Sequence, residues 1–303
     1  SDFFCGQRVL VTGAAGLIGS HLATRLLAEG ANVRAVLHHK HPHAYGGADY
    51  FFRDLTLRDS CVEMVEDQRY VFHCAARTGG AAATLKDPMG PVVHNMVMDA
   101  QLLEAAHAVG AEKFVWLGSS TTYPVSDTPV KEDRVFDGEP YEKLYHVGWM
   151  KRFGEILCRM YGEKVPDPMT TIALRPSNVY GPGDDFEPAT SHVTPALIRK
   201  VVERQDPIEM WGDGMDIRDL IYIDDMVDGM MMAMEQVESY DTFNIALGEG
   251  HTVTKVLSMI CDIDGYIPRV TLHPGKPRTI PTRLVDTSKA ERVLGFKAKT
   301  SLM

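Results

Sequence analysis

The sequence predicts an α/β protein, in which a doubly wound parallel sheet is covered by helices on both faces and is followed by a smaller C-terminal region. From Arg8 onward, short apolar runs alternate with longer segments of helical period, which is the pattern of βαβ units. The 303 residues are enough for one large α/β domain with a smaller appendage. After Pro176 the chain becomes richer in loops. We therefore divide it into residues 1–176 and 177–303, the second partly interleaved with the first.

Six candidate parallel strands alternate with helices in the first region. Apolar and β-branched residues predict strands at RVLVTG, NVRAVLHH, YVFHCAA, KFVWLGSS and TTIALRP, with a further strand just before Asp54. Helical period predicts helices at LIGSHLATRLLAEG, SCVEMVED, residues 91–109 and residues 145–161. The second region contains shorter elements around TPALIRKVVER, DLIYIDDMVDGMMMAME and TFNIALGEG, and a helix-like DTSKAERVLGF.

Composition and charge exclude several classes of protein. There are 31 Lys and Arg residues against 41 Asp and Glu, so the formal charge of −10 has the wrong sign for a protein that tracks phosphate backbones. The five cysteines are scattered and none has C-x-x-C spacing, which favours a reducing cytoplasm over a disulfide framework or zinc ribbon. No run approaches the roughly 18 apolar residues of a membrane span, and the N-terminus enters a strand without room for a signal peptide. We expect no nucleic-acid or membrane partner, and we read the acidic residues 184–187 as a solvated loop, not a metal site.

A glycine-rich turn joins the first strand to the first helix. Glycines at such a turn let the backbone approach a pyrophosphate, and the helix N-terminus offers free N–H groups and a positive dipole end. The flanking strand, helix and second strand lie at the distances expected for a Rossmann-type dinucleotide site. We therefore predict that this turn binds the cofactor through Gly13, Ala15, Gly16, Leu17, Ile18 and Gly19.

The end of the second strand bears on the choice of cofactor. An NAD-preferring site usually has Asp or Glu here to bind the ribose 2′-hydroxyl, but this chain has His38, His39 and Lys40. The basic cluster favours a 2′-phosphate and hence NADP, with NAD as the alternative if the loop is only a solvated basic segment. Asp54 is expected to accept from the adenine amino group. The remaining predicted cofactor contacts are Leu55, Ala75 and Ala76.

Several motifs together resemble a known superfamily. TGAAGLIGSHL, RDLTLRD, HCAA, WLGSSTTYP, LRPSNVYGPGD and WGDGMDIRDLIYIDDM occur in this order over nearly the whole chain. They are similar to the extended short-chain dehydrogenases/reductases, the NAD-dependent epimerase/dehydratase family, which act on nucleotide sugars. Longer runs such as HNMVMDAQLLEAAHAVGAEKFVWLGSSTTYP most resemble the GDP-L-fucose synthase group of GDP-sugar epimerase/reductases. The resemblance implies a substrate-binding C-terminal region, and a homodimer formed by the helices near residues 92–109 and 145–161.

The resemblance also implies roles for individual residues. By analogy, Ser119 hydrogen-bonds the C4 oxygen of the sugar, and Lys151 binds the nicotinamide ribose. His192 matches a histidine proposed as an epimerisation acid, and Arg218 matches an arginine that grips the diphosphate, a task suited to its bidentate fork. The other implied substrate-binding residues are Ser120, Asn178 and Lys200.

Two positions depart from the family pattern. The general acid of the family is the Tyr of Y-x-x-x-K, one helical turn before the lysine, and this chain has Val147 there. Tyr141, Tyr145 and His146 are not spaced to replace it on the same helix face. Thr121 stands where the fucose synthases have a cysteine base, and a threonine hydroxyl is a poor base for a sugar C–H.

Two hypotheses from different classes remain open. The first is an NADP-dependent epimerase or reductase acting on a GDP-sugar, in which Ser119 and Thr121 polarise the C4 oxygen, and Lys151 with bound water replaces the missing tyrosine. The second is a non-catalytic or impaired member that still binds NADP and a nucleotide sugar. A UDP- or CDP-linked substrate is a further alternative, since base specificity depends on loops that the sequence does not resolve.

Overall fold

The computed structural model describes residues 2–42, 46–78, 87–188, 190–276 and 280–303. The strands in these ranges are β1 Arg8–Thr12, β2 Asn32–Leu37, β3 Asp49–Phe52, β4 Tyr70–His73, β5 Lys113–Leu117, β6 Thr170–Pro176, β7 Asn178–Tyr180, β8 Ile208–Trp211, β9 Ile217–Tyr222, β10 Asp241–Ile245, β11 Gly250–Thr252, β12 Val270–His273 and β13 Thr282–Arg283. The helices are α1 Leu17–Ala28, α2 Arg58–Val65, α3 Gly90–Ala108, α4 Tyr145–Glu163, α5 Val193–Val202, α6 Ile223–Gln236, α7 Val253–Asp264 and α8 Ser288–Leu294.

The central sheet is wholly parallel in its described pairings. Its order is β10-β6-β5-β4-β1-β2-β3, and each neighbouring pair runs in the same direction. Strands buried on both faces have continuous apolar sequences, and β1 and β4 are of this kind. The strand order turns back on itself next to β1, so the carboxyl end of β1 opens into the crevice where ligands of doubly wound sheets bind.

Two helical layers cover the sheet. On one face, Leu22 and Leu26 of α1 pack with Met226 and Met230 of α6. On the other face α2, α3 and α4 form a second core, which includes Met64, Leu102, Leu103 and Cys158. The methionines of α6 at positions 226, 230, 231 and 234 are therefore part of the buried core. Removing these apolar surfaces from water on both faces is what stabilises the doubly wound arrangement.

A smaller set of elements packs beside the carboxyl end of this sheet. Strands β11, β9 and β13 are neighbours in that order, and β7 also pairs with β9. Strands β8 and β12 form a separate parallel pair. Helices α5 and α7 enclose a third core with Leu197, Val201, Ile208, Leu220 and Leu257. The loop after β7 is joined to α1 by a hydrogen bond of 2.9 Å between His21 Nε2 and the Pro182 carbonyl oxygen.

The structure confirms the predicted Rossmann-type α/β fold and extends it by one strand. The segment TFNIALGEG, which we assigned to the C-terminal elements, contains β10, and β10 pairs with β6 at the edge of the central sheet. Its neighbour in space is 65 or more positions earlier in the chain, so local sequence pattern does not reveal the pairing. In the described part of the chain, no helix has the length and apolar character needed to cross a membrane.

Candidate active site

The glycine turn after β1 has a geometry that admits no side chain at two positions. Gly13 has φ of 67°, and a Cβ there would lie 2.7 Å from the backbone nitrogen of Ala75. A Cβ on Gly19 would lie 2.3 Å from the carbonyl oxygen of Gly13. The Gly16 N–H donates to that same oxygen at 2.9 Å, and α1 begins at Leu17. The turn is thus a bare backbone cradle at a helix N-terminus, which fits a dinucleotide pyrophosphate.

A buried polar chain, which no local sequence pattern predicts, supports this cradle. The Thr12 hydroxyl accepts from the backbone N–H of Ala75 at 3.0 Å and lies 2.7 Å from His73 Nδ1. His73 Nε2 lies 2.9 Å from the Asp99 carboxylate. This links β1, β4 and α3, and it holds the Ala75 backbone against Gly13. Ala75 and Ala76 were predicted as cofactor contacts; Ala75 lies beside the turn, and Ala76 is exposed.

The basic residues predicted to bind near the 2′-position of the adenosine ribose lie together at the end of β2. The rings of His38 and His39 are 3.5 Å apart, and both side chains and that of Lys40 are exposed. His38 Nε2 lies 4.0 Å from the Asp54 carboxylate. Hydrogen bonds from the Thr56 side chain and backbone hold the pKa of Asp54 below its usual range, so Asp54 is ionised at neutral pH. Leu55 is buried in the second core behind it.

Lys151 of α4 is held under the end of β5. Its ammonium donates to the Leu117 carbonyl oxygen at 2.7 Å and lies 4.7 Å from the centre of the Trp116 ring. Burial lowers the pKa of Lys151, while the nearby Asp99 carboxylate opposes that shift. Lys151 is thus fixed at the carboxyl end of β5, on the same edge of the parallel sheet as the carboxyl end of β1.

Val147 lies one turn before Lys151, at the start of α4. The helix approaches the Ser119 turn closely here, since a Cβ on Gly148 would lie 3.0 Å from the Thr121 carbonyl oxygen. Val147 is partly buried and offers no proton. His146 precedes it, and burial lowers the pKa of His146. Among the described residues its Nε2 has no hydrogen-bond partner.

Ser119 caps a short 3-10 turn, Ser120–Thr122, immediately after β5. Its hydroxyl oxygen accepts from the Thr121 N–H at 3.1 Å and from the Thr121 hydroxyl at 2.8 Å. These two hydrogen bonds use both lone pairs of the Ser119 oxygen. Its hydroxyl hydrogen can therefore donate to a ligand oxygen. The Ser120 hydroxyl is buried and has no partner in the described part of the chain. The Thr121 hydroxyl hydrogen is thus directed at Ser119 and not into the crevice.

An arginine that the sequence analysis missed completes this cluster. Arg283 of β13 places Nη2 3.4 Å from Ser119 Oγ and Nη1 3.4 Å from Asn178 Oδ1. Its Nε is buried without a hydrogen-bond partner among the described residues. Burial and the neighbouring Arg218 charge lower the pKa of Arg283. No motif marks this position, since β13 has only two residues and follows a loop.

The predicted diphosphate ligand Arg218 lies beside Arg283. The two are paired in register between β9 and β13. The buried Arg218 guanidinium donates to the Ile217 carbonyl oxygen at 2.8 Å, and it lies 3.4 Å from the Asp216 carboxylate. Strand β7, which contains Asn178, also pairs with β9. Arg218, Arg283 and Asn178 thus line one side of the same crevice.

His192 and Lys200 lie at opposite ends of α5. Burial lowers the pKa of His192, the Asp184 carboxylate opposes that shift, and the Arg283 charge adds to it. His192 is therefore within electrostatic reach of Arg283. Lys200 donates instead to the backbone oxygen of Glu209 on β8, and its described contact lies inside the C-terminal elements. A cavity of about 220 Å³ lies between these elements and the loop after β7, lined by Tyr180, Pro182, Asp184, Phe186, Thr194 and Ile198.

The acidic loop that precedes α5 does not assemble a metal site. Asp184 and Asp185 accept from backbone N–H groups of the loop itself. In the ranges that the structure describes, no group of three or more His, Cys, Asp or Glu residues could hold a metal ion.

Comparisons with known proteins indicate one family, and the similar proteins are named for sugars of different nucleotides. Residues 9–246 match the model of the NAD dependent epimerase/dehydratase family. The chain is 30% identical to the probable GDP-L-fucose synthase 1 of Oryza sativa subsp. japonica, over 98% of this chain and 89% of that one. It is also 30% identical to the dTDP-4-dehydro-6-deoxy-D-allose reductase of Streptomyces sp, over 98% and 93%. The UDP-glucuronic acid 4-epimerase of Bacillus cereus, solved with UDP-glucuronic acid and NAD, superposes with a TM-score of 0.84 at 28% identity, covering 98% of this chain and 95% of that one.

Proposed function

The chain belongs to the NAD dependent epimerase/dehydratase family, and on that premise we propose that it is an NADP-dependent epimerase or reductase acting at C4 of a nucleotide sugar. One observation carries the proposal. Ser119, with its hydroxyl hydrogen available for donation, lies at the same sheet edge as Lys151 and the glycine cradle. A sugar oxygen bound by Ser119 would therefore face the nicotinamide end of the cofactor. A region formed by residues 177–303 would cover the sugar and its nucleotide.

The cofactor supplies hydride transfer, and this chain's residues bind and orient it. The cradle at Gly13, Gly16 and Gly19 binds the pyrophosphate through backbone N–H groups. The lack of room for a side chain at Gly13 and Gly19 supports this role. Lys151 holds the nicotinamide ribose. The His38, His39 and Lys40 cluster supports NADP over NAD, since three basic side chains gather where a 2′-phosphate would lie.

We propose that the nucleotide of the substrate is GDP. The relatives named GDP-L-fucose synthase support it, while the dTDP- and UDP-sugar enzymes among the similar proteins make those nucleotides the alternatives. Arg218 binds the diphosphate under any of the three. His192 is the candidate acid for epimerisation, as the resemblance implies, and it lies within electrostatic reach of Asp184 and Arg283.

We include a homodimer and a cytoplasmic location in the proposal. Val93 of α3 is 58% exposed and Phe153 of α4 is 39% exposed, and these two helices pack side by side. Such apolar side chains on adjacent helices fit an interface between two copies of this chain. All five cysteines are free thiols, which fits a reducing compartment.

Val147 favours a second candidate function. A member without the motif tyrosine can bind NADP and a nucleotide sugar and yet perform no chemistry, acting as a regulator or partner subunit. General acid catalysis is worth about 10²- to 10⁴-fold. Under this second candidate, Val147→Tyr raises the rate by that order; an unchanged rate counts against it.

The test begins with binding and ends with products. Calorimetric titrations with NADPH, NADH, GDP-mannose and UDP-glucose identify the preferred pair, and NMR of the incubated mixture then detects a new sugar. Tight binding with a product supports the enzyme. The same binding without a product supports the ligand-holding member, and no binding of any dinucleotide refutes both.

A further inference from the structure

Three neighbouring strands place one basic side chain each on the same face of the small sheet. The strands lie in the order β11-β9-β13, and Arg218 of β9 is in register with His251 of β11 and with Arg283 of β13. Residues in register on neighbouring strands point to the same face, and such strands lie about 4.8 Å apart. Arg283, Arg218 and His251 therefore form a basic row about 10 Å long across the three strands.

The opposite face of the three strands is packed. A Cβ on Gly250, which precedes His251, would lie 2.8 Å from the side chains of both Ile217 and Leu284. Successive residues of a strand point to opposite faces of the sheet. His251 therefore points away from the packed face, toward the crevice that the rest of the basic row lines.

The imidazole of His251 has a ring nitrogen without a partner. Its Nε2 is buried and has no hydrogen-bond partner in the part of the chain that the structure describes. The Glu249 carboxylate lies 3.8 Å away, beyond hydrogen-bonding distance, and its side chain is 71% exposed. The Asp219 carboxylate, which lies within electrostatic reach of His251, accepts instead from the backbone N–H groups of Leu247 and Gly248. A buried polar atom is costly to leave unpaired, so this imidazole is suited to bind a ligand oxygen.

The basic row runs in the same order as the groups of a nucleotide sugar. At one end, Arg283 lies 3.4 Å from Ser119 Oγ, where the proposed function places the sugar. Arg218 comes next, and His251 is at the other end. A nucleotide sugar likewise runs from the sugar through two phosphates to the nucleoside. The His251 end of the basic row is therefore the end nearest the nucleoside.

We propose that His251 binds the phosphate on the nucleoside side of the substrate's diphosphate, as the third side chain of the basic row. This inference rests on the proposed function. An imidazole N–H donates to an anionic phosphate oxygen, and such charge-assisted hydrogen bonds are stronger than neutral ones. His251 thereby holds the nucleoside end of the substrate, while the two arginines act nearer the sugar.

A purely structural role for His251, as the partner of Glu249, has a different signature. Exposed ion pairs contribute little to stability, and removing either member of such a pair has similar effects on thermal unfolding and none on affinity. A phosphate ligand separates the two residues. Loss of His251 weakens binding of the substrate, whereas loss of the Glu249 charge removes a repulsion and leaves the affinity equal or tighter.

The experiment compares His251→Leu, His251→Gln and Glu249→Gln in the full chain. Calorimetry identifies which of GDP-mannose, UDP-glucose and dTDP-glucose binds the wild type most tightly, and ligand-observed NMR then measures the Kd of its nucleoside monophosphate and of its free nucleoside. We expect His251→Leu to raise the Kd of the nucleotide sugar and of the monophosphate by about tenfold or more, with the Kd of the nucleoside unchanged. His251→Gln keeps an N–H donor and should retain part of the affinity.

His107→Leu is the matched control, since His107 Nε2 lies 3.1 Å from the Asp167 carbonyl oxygen at the end of α3, outside the basic row. It should keep the wild-type Kd for the nucleotide sugar. Circular dichroism and an unchanged Kd for NADPH, which binds at the glycine cradle, establish that each variant is folded.

Three results would overturn the inference while the proposed function stands. They are an unchanged Kd of the nucleotide sugar in His251→Leu, an equal loss of affinity for the nucleoside and its monophosphate, and a weakened Kd in Glu249→Gln. The Glu249→Gln result keeps the inference open to refutation even if His251→Leu does not fold. A wild type that binds none of the three nucleotide sugars overturns the proposed function as well.

Discussion

Replacing Gly13 by alanine tests the cofactor cradle most directly. The residue has φ of 67°, and an added Cβ would lie 2.7, 2.8 and 2.9 Å from backbone atoms of Cys74 and Ala75. Carbon atoms prefer separations of about 3.5–4.0 Å, so one of the two backbones has to move by about 1 Å. The left-handed conformation costs alanine about 1–2 kcal/mol, and overpacking adds about 1–3 kcal/mol. We expect the free energy of unfolding to fall by about 2–5 kcal/mol.

Gly110→Ala is the matched control. Gly110 has φ of 76° after α3, and a Cβ there meets nothing within 4 Å. It therefore carries the conformational cost of about 1–2 kcal/mol without the clash. Thermal unfolding compares the stabilities of the two variants, and titration with NADPH compares their affinities for the cofactor. Because a hydrogen bond to a charged group is worth about 1.5–3 kcal/mol, losing one should raise the Kd of Gly13→Ala for NADPH by about 10- to 100-fold. A Gly13→Ala protein with the Kd and thermal shift of Gly110→Ala would refute the reasoning.

Three further predictions follow from the site and its surroundings. Lys40→Asp should weaken NADPH binding by about tenfold or more, because a charged contact to the 2′-phosphate is lost, while NADH binding is retained. Nicotinamide-fluorescence titrations measure both affinities, and an equal loss of affinity for NADPH and NADH would contradict the prediction. Burial lowers the pKa of Lys151, so its charge is lost as the pH rises through that lowered pKa, and the rate should fall over the same range. Lys151→Arg, which stays charged, should shift this alkaline limb of the pH profile upward. A limb that stays in place in Lys151→Arg would assign it to another group. Val93→Glu should be monomeric when its mass is measured by light scattering. Val62→Glu, at a site 41% exposed on α2, is the control and should remain dimeric. A dimeric Val93→Glu protein would exclude α3 from the interface.

The cradle and the first half of the sheet could be predicted because their signals are local. A strand, three spaced glycines and a helix occupy residues 8–28, and Gly13 and Gly19 contact each other within that segment. Lys151 was assigned from the resemblance to the family, supported by its place on a helix after the β5 strand. Local backbone sterics and helical periodicity connect such residues, and both are visible in the order of amino acids.

The place of strand β10 in the central sheet and the position of Arg283 beside Ser119 were not predicted, because their neighbours are distant in the chain. Arg283 reaches Ser119 across 164 positions, and the Thr12–His73–Asp99 chain joins three separate elements. No spacing rule relates residues this far apart. The sequence by itself determined the fold class, the glycine turn between β1 and α1, and the absence of the motif tyrosine. Only the tertiary structure decided which charge faces Ser119, since packing of the β9–β13 sheet against the β5 turn brings that guanidinium to the site and excludes the water that would otherwise solvate it.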